Sequence, residues 1–262
     1  MQVKKKMKRI LPILILLIIS SKSFGEIQNS ASGKCESYAL DVIPKSKSIS
    51  QNPIFLIDYR EADYLIFEKL KNVKFCLVDN KGKKIEMEVL QMNKGANSIA
   101  QILLKPKRKI KKGREVSIEI HGLELKYDGN KKFNNKVKSK RWKVISKKDK
   151  IQPIIKSELK PQYINYLNSS APGHGIKCNF KFVDNKGDEQ ISEHQIILEI
   201  TNDKGKIYLM PTSGKQFWIY DGFCGAAFKL SQDKKYSFKI RVMDMSGNKS
   251  AESYQVEFKT EK

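Results

Sequence analysis

The chain has 262 residues, 40% of them hydrophobic and 30% charged, with 15 Gly and 8 Pro. That balance excludes collagen-like and low-complexity classes and leaves room for one large domain or two smaller ones, each with a core. The formal charge is +23, which favours an anionic neighbourhood and says nothing about fold. Residues 1–25 open with Lys4, Lys5, Lys6, Lys8 and Arg9, continue with an apolar run from Ile10 to Ser20, and end on Ser23-Phe24-Gly25. This is the layout of a secretory signal peptide cleaved before Glu26, since the apolar run is short against the ~20 residues that span a bilayer. Without the leader the net charge is +17. The expected location is outside the cytoplasm: periplasm, cell surface or medium.

Residues 26–150 read as a first all-β domain. Ile85, Met87 and Val89 alternate with Lys84, Glu86 and Glu88, and Val116, Ile118 and Ile120 alternate with Glu115, Ser117 and Glu119. One apolar and one polar face per strand is the pattern of an antiparallel sandwich. A helix is expected only at Arg60–Lys71, where Tyr64, Leu65, Phe67 and Leu70 share a face. Val42-Ile43-Pro44, the run Pro53–Ile57, the strand and turn Phe75–Gly82, and Leu103–Gly122 with its proline, Lys-Gly turn and final strand carry a family likeness. Together they are similar to the bacterial Ig-like domains of surface-layer and other envelope proteins. That resemblance implies spacers, adhesion modules and assembly subunits, not a conserved chemistry.

The segment Ser139–Pro153 reads as the link, with the boundary near 150, and residues 151–262 form a second all-β domain. Ile176, Cys178, Phe180 and Phe182 alternate with polar residues, as do Tyr236–Val242 and Tyr254–Phe258. Turn signals fall between strands at Asp79–Gly82, Asp184–Gly187, Asn202–Gly205 and Ser246-Gly247-Asn248. The string Val-Asp-Asn-Lys-Gly occurs at 78–82 and again at 183–187; a shared hairpin turn explains it more simply than a duplication. Residues Lys234–Thr260, with Tyr236 opening a strand and Asp244, Gly247, Asn248 and Ser250 in the turn, resemble the last two strands of a fibronectin type III-like or related Ig-like domain. The fold class is therefore all-β, two tandem Ig-like antiparallel sandwiches after the leader.

Four cysteines, Cys35, Cys76, Cys178 and Cys224, suit an oxidising compartment. They permit three pairings, of which Cys35–Cys76 and Cys178–Cys224 are the local solution. His174, Cys178, His194 and Cys224 have the ligand count of structural zinc, but their spacing matches no compact finger and a disulfide is preferred. No cofactor is expected, and no nucleophile, metalloprotease or phosphate-loop motif occurs. Glu86 with Glu88 and Glu115 with Glu119 sit on solvent faces, so the chain reads as a non-enzyme. Trp218 and Tyr220 share one side of Gln216–Cys224 and suit sugar stacking, though a buried strand is the preferred reading.

Charge asymmetry is the strongest functional signal. Residues 26–150 carry net +14 and residues 151–262 net +3, and residues 105–150 alone carry +13. The expected contact residues are Lys105, Lys107, Arg108, Lys109, Lys111 and Lys112 in one tract and Lys138, Lys140, Arg141 and Lys143 in the next. Lysines outnumber arginines 45 to 6, which suits diffuse attraction over bidentate recognition. The sequence therefore points to an anionic envelope polymer or acidic protein as partner, with peripheral membrane contact compatible. Nucleic acid is disfavoured because no stacking aromatics interleave the lysines. A carbohydrate-binding module using Trp218 and Tyr220 is the alternative.

Overall fold

In the computed structural model the described residues are 39–60, 66–96, 99–122, 140–145, 150–155, 159–165, 173–179, 182–183, 196–212, 216–222 and 226–260. Residues Met1–Gly33 form a unit outside them, and Lys34–Lys262 form one compact unit. The leader, the 156–158 and 184–195 segments, Cys35 and Cys224 all fall outside the described residues. The described chain is all-β apart from one short helix.

Its first half contains β1 (Ala39–Ile43), β2 (Ser48–Ile49), β3 (Phe55–Arg60), α1 (Ile66–Lys71), β4 (Lys74–Asp79), β5 (Lys84–Lys94), β6 (Ile99–Pro106), β7 (Glu115–His121) and β8 (Trp142–Val144). Of the expected helix at 60–71, the last six residues form α1 and Arg60 belongs to β3, while 61–65 lie outside the described residues. The hydrogen-bonded order is β1-β3-β6-β5-β4-β7-β8-β2. Strand β5 pairs with β4 through 84–86 and with β6 through 87–94, with a bulge between Val89 and Gln91. A bulged strand bends and twists more strongly, so the ribbon folds over at β5 into two facing layers. Phe55, Ile57, Tyr59, Ala100, Ile102 and Leu104 from one layer meet Phe75, Leu77, Ile85, Val116, Ile118 and Trp142 from the other. Trp142, which the sequence left inside a basic tract, is fully buried edge-on to Phe55 at 5.1 Å, and its Nε1 donates to the Pro44 carbonyl.

The second half contains β9 (Ile154–Ile155), β10 (Lys160–Asn165), β11 (Gly173–Asn179), β12 (Phe182–Val183), β13 (Ile196–Asn202), β14 (Ile207–Thr212), β15 (Gln216–Gly222), β16 (Lys235–Asp244) and β17 (Tyr254–Lys259). Sheets β10-β11-β15 and β14-β13-β16-β17 enclose Ile176, Cys178, Phe217, Ile219, Leu198, Ile200, Phe238, Ile240 and Val242. The Tyr236 hydroxyl reaches back and accepts from the Ser231 N–H at 2.5 Å.

A third apolar layer joins the halves. Ile43, Ile54, Leu56 and Leu103 project from the face of β1, β3 and β6 opposite the first core and meet Ile197, Leu209 and Met243. Strands β3 and β6 are therefore buried on both faces, which is why Ile54–Tyr59 and Ile99–Leu104 carry no exposed position. Within this layer the fully buried Gln101 donates to the Leu209 carbonyl (2.7 Å) and accepts from the Leu209 N–H (2.8 Å). Leu209 lies on β14, an edge strand, and the amide completes its backbone bonding as a further strand would. Ile54 N–H donates to the Met245 carbonyl (2.8 Å), and Ala96 N–H to the Ala226 carbonyl (2.9 Å).

One turn design recurs. Asp79 Oδ1 accepts from the amides of Lys81 and Lys83, Asn202 Oδ1 from Lys204 and Lys206, and Asp244 Oδ1 from Ser246 and Asn248. In each, the glycine three residues on has positive φ: 76° at Gly82, 73° at Gly205 and 83° at Gly247. This is a type I turn closed by a left-handed residue, so glycine is selected sterically. Its recurrence at three unrelated hairpins favours shared turn chemistry over duplication as the source of the repeated string. Gly247 is constrained twice, since a Cβ there would lie 3.0 Å from Ile54 Cγ2 across the junction.

Two predictions follow from these bonds. Gln101→Leu strands the buried Leu209 N–H and C=O, and chemical denaturation should show a loss of about 2–4 kcal/mol. The wild-type transition should be single under the same conditions, because the halves share a core; two separated transitions contradict this. Asp79 is the second. Its amide partners, Lys83 first, and the Arg114 guanidinium at 3.2 Å hold its carboxyl below the usual value of 3.8 against the opposing effect of burial. A depressed folded pKa gives stability that is complete above the unfolded value and is lost as pH falls through the folded one. Asp79→Asn keeps the turn acceptor, as Asn202 does natively, and abolishes the titration. The stability gap between wild type and variant should therefore close on going from pH 7 to about pH 2; a gap unchanged by pH contradicts the assignment.

Candidate functional site

The antiparallel pairing of β4 with β7, in register from Lys74↔His121 to Asp79↔Val116, sets the turn 79–83 beside the loop 107–114. Contacts fix the two segments together. Arg108 donates to the Lys84 carbonyl at 2.8 Å, Arg114 pairs with Asp79, and Asn80 N–H donates to the Glu115 carbonyl at 3.1 Å. The loop is itself pinned to the core: Ile110 is buried, its N–H donates to the Gln51 carbonyl, and Gly113 N–H donates to the Val144 carbonyl at 2.7 Å.

The result is a basic pole. Lys107, Arg108, Lys109, Lys111 and Lys112 are exposed, and Lys81, Lys83 and Lys84 from the neighbouring turn are exposed beside them. Two cations are partly offset, Lys107 by Glu86 at 3.0 Å and Lys84 by Glu119 at 3.2 Å. Among the described residues Lys109, Lys111 and Lys112 make no ion pair. Lys105, at the end of β6, is exposed, and Lys143 on β8 is exposed opposite Glu115 in the ladder. Lysines held in water on a fixed backbone sum to a field that concentrates anions, and salt screens it.

Other expected contact residues part company with this pole. Lys140 is half-buried, donates to the Val42 carbonyl at 2.8 Å and lies over the Trp142 ring at 5.4 Å. Burial, with the nearby Lys45 charge adding to it, lowers its pKa to about 8. It ties β8 to β1 through the Val42 carbonyl. Arg141 is exposed, and Lys138 lies outside the described residues. The turn lysines 81, 83 and 84 were missed because they stand some 25 positions from the loop and only the β4–β7 register unites them; the repeated Asp-Asn-Lys-Gly turn was their one sequence signal.

Trp218 corrects a preference for core packing. Strand β15 is the edge of its sheet, with Phe217 and Ile219 buried and Trp218 half-buried on the opposite face beneath Lys177 Nζ at 5.4 Å. The side chain of Tyr220 lies outside the described residues. Cys76 is half-buried on the outer face of β4 and Cys178 is buried in the second core, and neither has a disulfide partner among the described residues. Burial pushes the Cys178 thiol up to about 12, so it is an inert packing group. The pairings with Cys35 and Cys224, and the zinc alternative through His174 and His194, rest on residues or side chains outside those described. No group of metal-ligating side chains occurs among the described residues, and no helix among them is long and apolar enough to cross a membrane.

No protein-family model matches the chain, and no curated protein matches it. Similar solved structures include a pullulanase from Anoxybacillus sp. LM18-11, at 8% identity and TM-score 0.25, covering 80% of this chain and 24% of that one. Dimeric latent PorU from Porphyromonas gingivalis aligns at 9% identity and TM-score 0.27, over 88% of this chain and 20% of PorU. The tandem Ig repeats of Dlar align at 11% identity and TM-score 0.25, over 84% of this chain and 97% of theirs. The chain thus spans about a quarter of the pullulanase and a fifth of PorU. At TM-scores this low the likenesses carry no argument.

Proposed function

We propose that the protein is an exported, non-enzymatic interaction module of two Ig-like sandwiches, and that its basic pole docks on an anionic component of the cell envelope. The observation that carries this reading is the convergence of the 79–84 turn and the 107–114 loop on one end of the first sandwich. Composition alone would scatter lysines over every surface. Here Lys81, Lys83, Lys84, Lys107, Arg108, Lys109, Lys111 and Lys112 stand exposed on two segments that are hydrogen-bonded to each other and to the core. Export is supported by the basic, apolar and small-residue order of residues 1–25. The Ig-like assignment of both halves draws on the sequence likenesses and on Tyr236 tied back to Ser231.

A polar, water-filled pole of lysines suits many phosphates or carboxylates spread along a polymer, since each ammonium acts as a point charge. The second sandwich, nearly neutral, serves as spacer or protein-docking surface. A second reading is favoured by Trp218, whose outward ring on an edge strand suits a sugar face; a glycan array repeated with Trp218→Ala decides it, and unchanged binding removes that site.

The main reading is tested by retention of the mature protein on its own cell-envelope fraction over a salt series from about 50 to 500 mM. Wild type should be retained at low salt and released as salt rises. The variant with Lys107, Lys109, Lys111 and Lys112 changed to Glu should not be retained. Identical behaviour of the two proteins, or retention indifferent to salt, contradicts the proposal.

A further inference from the structure

On the strand that backs the basic loop, an isoleucine faces solvent. Residues 142–145 alternate strictly: Trp142 buried, Lys143 exposed, Val144 buried, Ile145 exposed. Ile145 is 48% exposed, one of four large hydrophobic residues among the described ones that face solvent. Its position is held from both sides. Its own N–H donates to the Ile49 carbonyl at 3.1 Å, while Val144 exchanges bonds with the loop, donating to the Arg114 carbonyl and accepting from Gly113. The side chain therefore shares the exposed face of Lys143, on backbone whose neighbour Val144 is bonded to the 113–114 end of the basic loop, and Val144 already fills the core position.

We propose that the basic pole docks on the surface of an anionic lipid bilayer, with the lysines over headgroup phosphates and Ile145 entering the boundary between headgroups and acyl chains. The inference rests on the reading of the pole as an anion-docking surface and names its partner. The charge is complementary to such a surface, which attracts clustered lysines within a Debye length. The isoleucine separates a bilayer from a soluble polyanion. A hydrated polymer leaves Ile145 in water, whereas a bilayer removes its apolar area from water. Lysine stems can lie along the same boundary while their ammonium groups stay at phosphate level.

The test uses the full mature chain in co-sedimentation with phosphatidylcholine vesicles with or without about one third phosphatidylglycerol, alongside retention on immobilised heparin as a soluble-type polyanion. Wild type should sediment with the anionic vesicles and not with pure phosphatidylcholine. Ile145→Ser should weaken vesicle binding about five- to tenfold while leaving heparin retention and the thermal midpoint unchanged. Ile145→Trp should show a blue-shifted emission on addition of the anionic vesicles. If Ile145→Ser sediments like wild type and heparin retention persists, the lipid inference is overturned and the polyanion reading stands. If wild type binds neither vesicles nor heparin, both fall together.

Discussion

A single buried amide, that of Gln101, and the apolar layer around it determine how the rest of the chain is arranged. The amide satisfies both backbone groups of Leu209 on an edge strand that would otherwise be open. Around it Ile43, Leu56 and Leu103 from the first half meet Ile197, Leu209 and Met243 from the second. A polar group buried in such a layer is stabilising only while both partners stay in register, so it specifies one docking of the halves and excludes neighbouring ones. Four β layers with three apolar layers between them result, the middle one being this contact. The second sandwich is in this sense a fixed base for the first.

Much of this was legible in the sequence, and the illegible part has one cause. Period-two alternation marked β7, β17, β16 up to Val242, β11 from Ile176 and the start of β5, where one face is buried and the other is not; it fails at Val89, which is exposed where the bulge interrupts β5. Asp79, Asn202 and Asp244 marked hairpins, because a left-handed glycine three residues on is a local steric requirement. The junction was signalled too, by the unbroken apolar runs Ile54–Ile57 and Ile102–Leu104, which no one-sided strand needs. What the runs do not say is which surface covers the second face, since that partner lies far along the chain, 108 residues on for Gln101. Gln101 illustrates the point: a glutamine within an apolar strand is polar by type, and only the edge of β14 explains its burial.

The same distinction between local and distant information governs the basic surface. The 105–112 tract was visible because its charges are consecutive. The lysines of the 79–84 turn join it only through strand pairing, and Lys140, counted with the tract by proximity in sequence, is withdrawn by packing on Trp142 and bonding to Val42. Trp218 moved the other way, from expected core to half-exposed edge strand. Net charge by segment therefore groups Lys140 with the tract and leaves out the three turn lysines, while the sign and the location of the excess are legible.

The account's central claim is that the docking surface is made by two segments brought together by the β4–β7 register, not by one charged stretch. Replacing Lys81 and Lys83 by Glu, with the 107–114 loop left intact, tests this most directly by the salt concentration that elutes the mature protein from its envelope fraction. The account predicts elution at distinctly lower salt than wild type, with the melting temperature unchanged. Elution at the wild-type salt concentration would contradict it and return the binding to the loop alone.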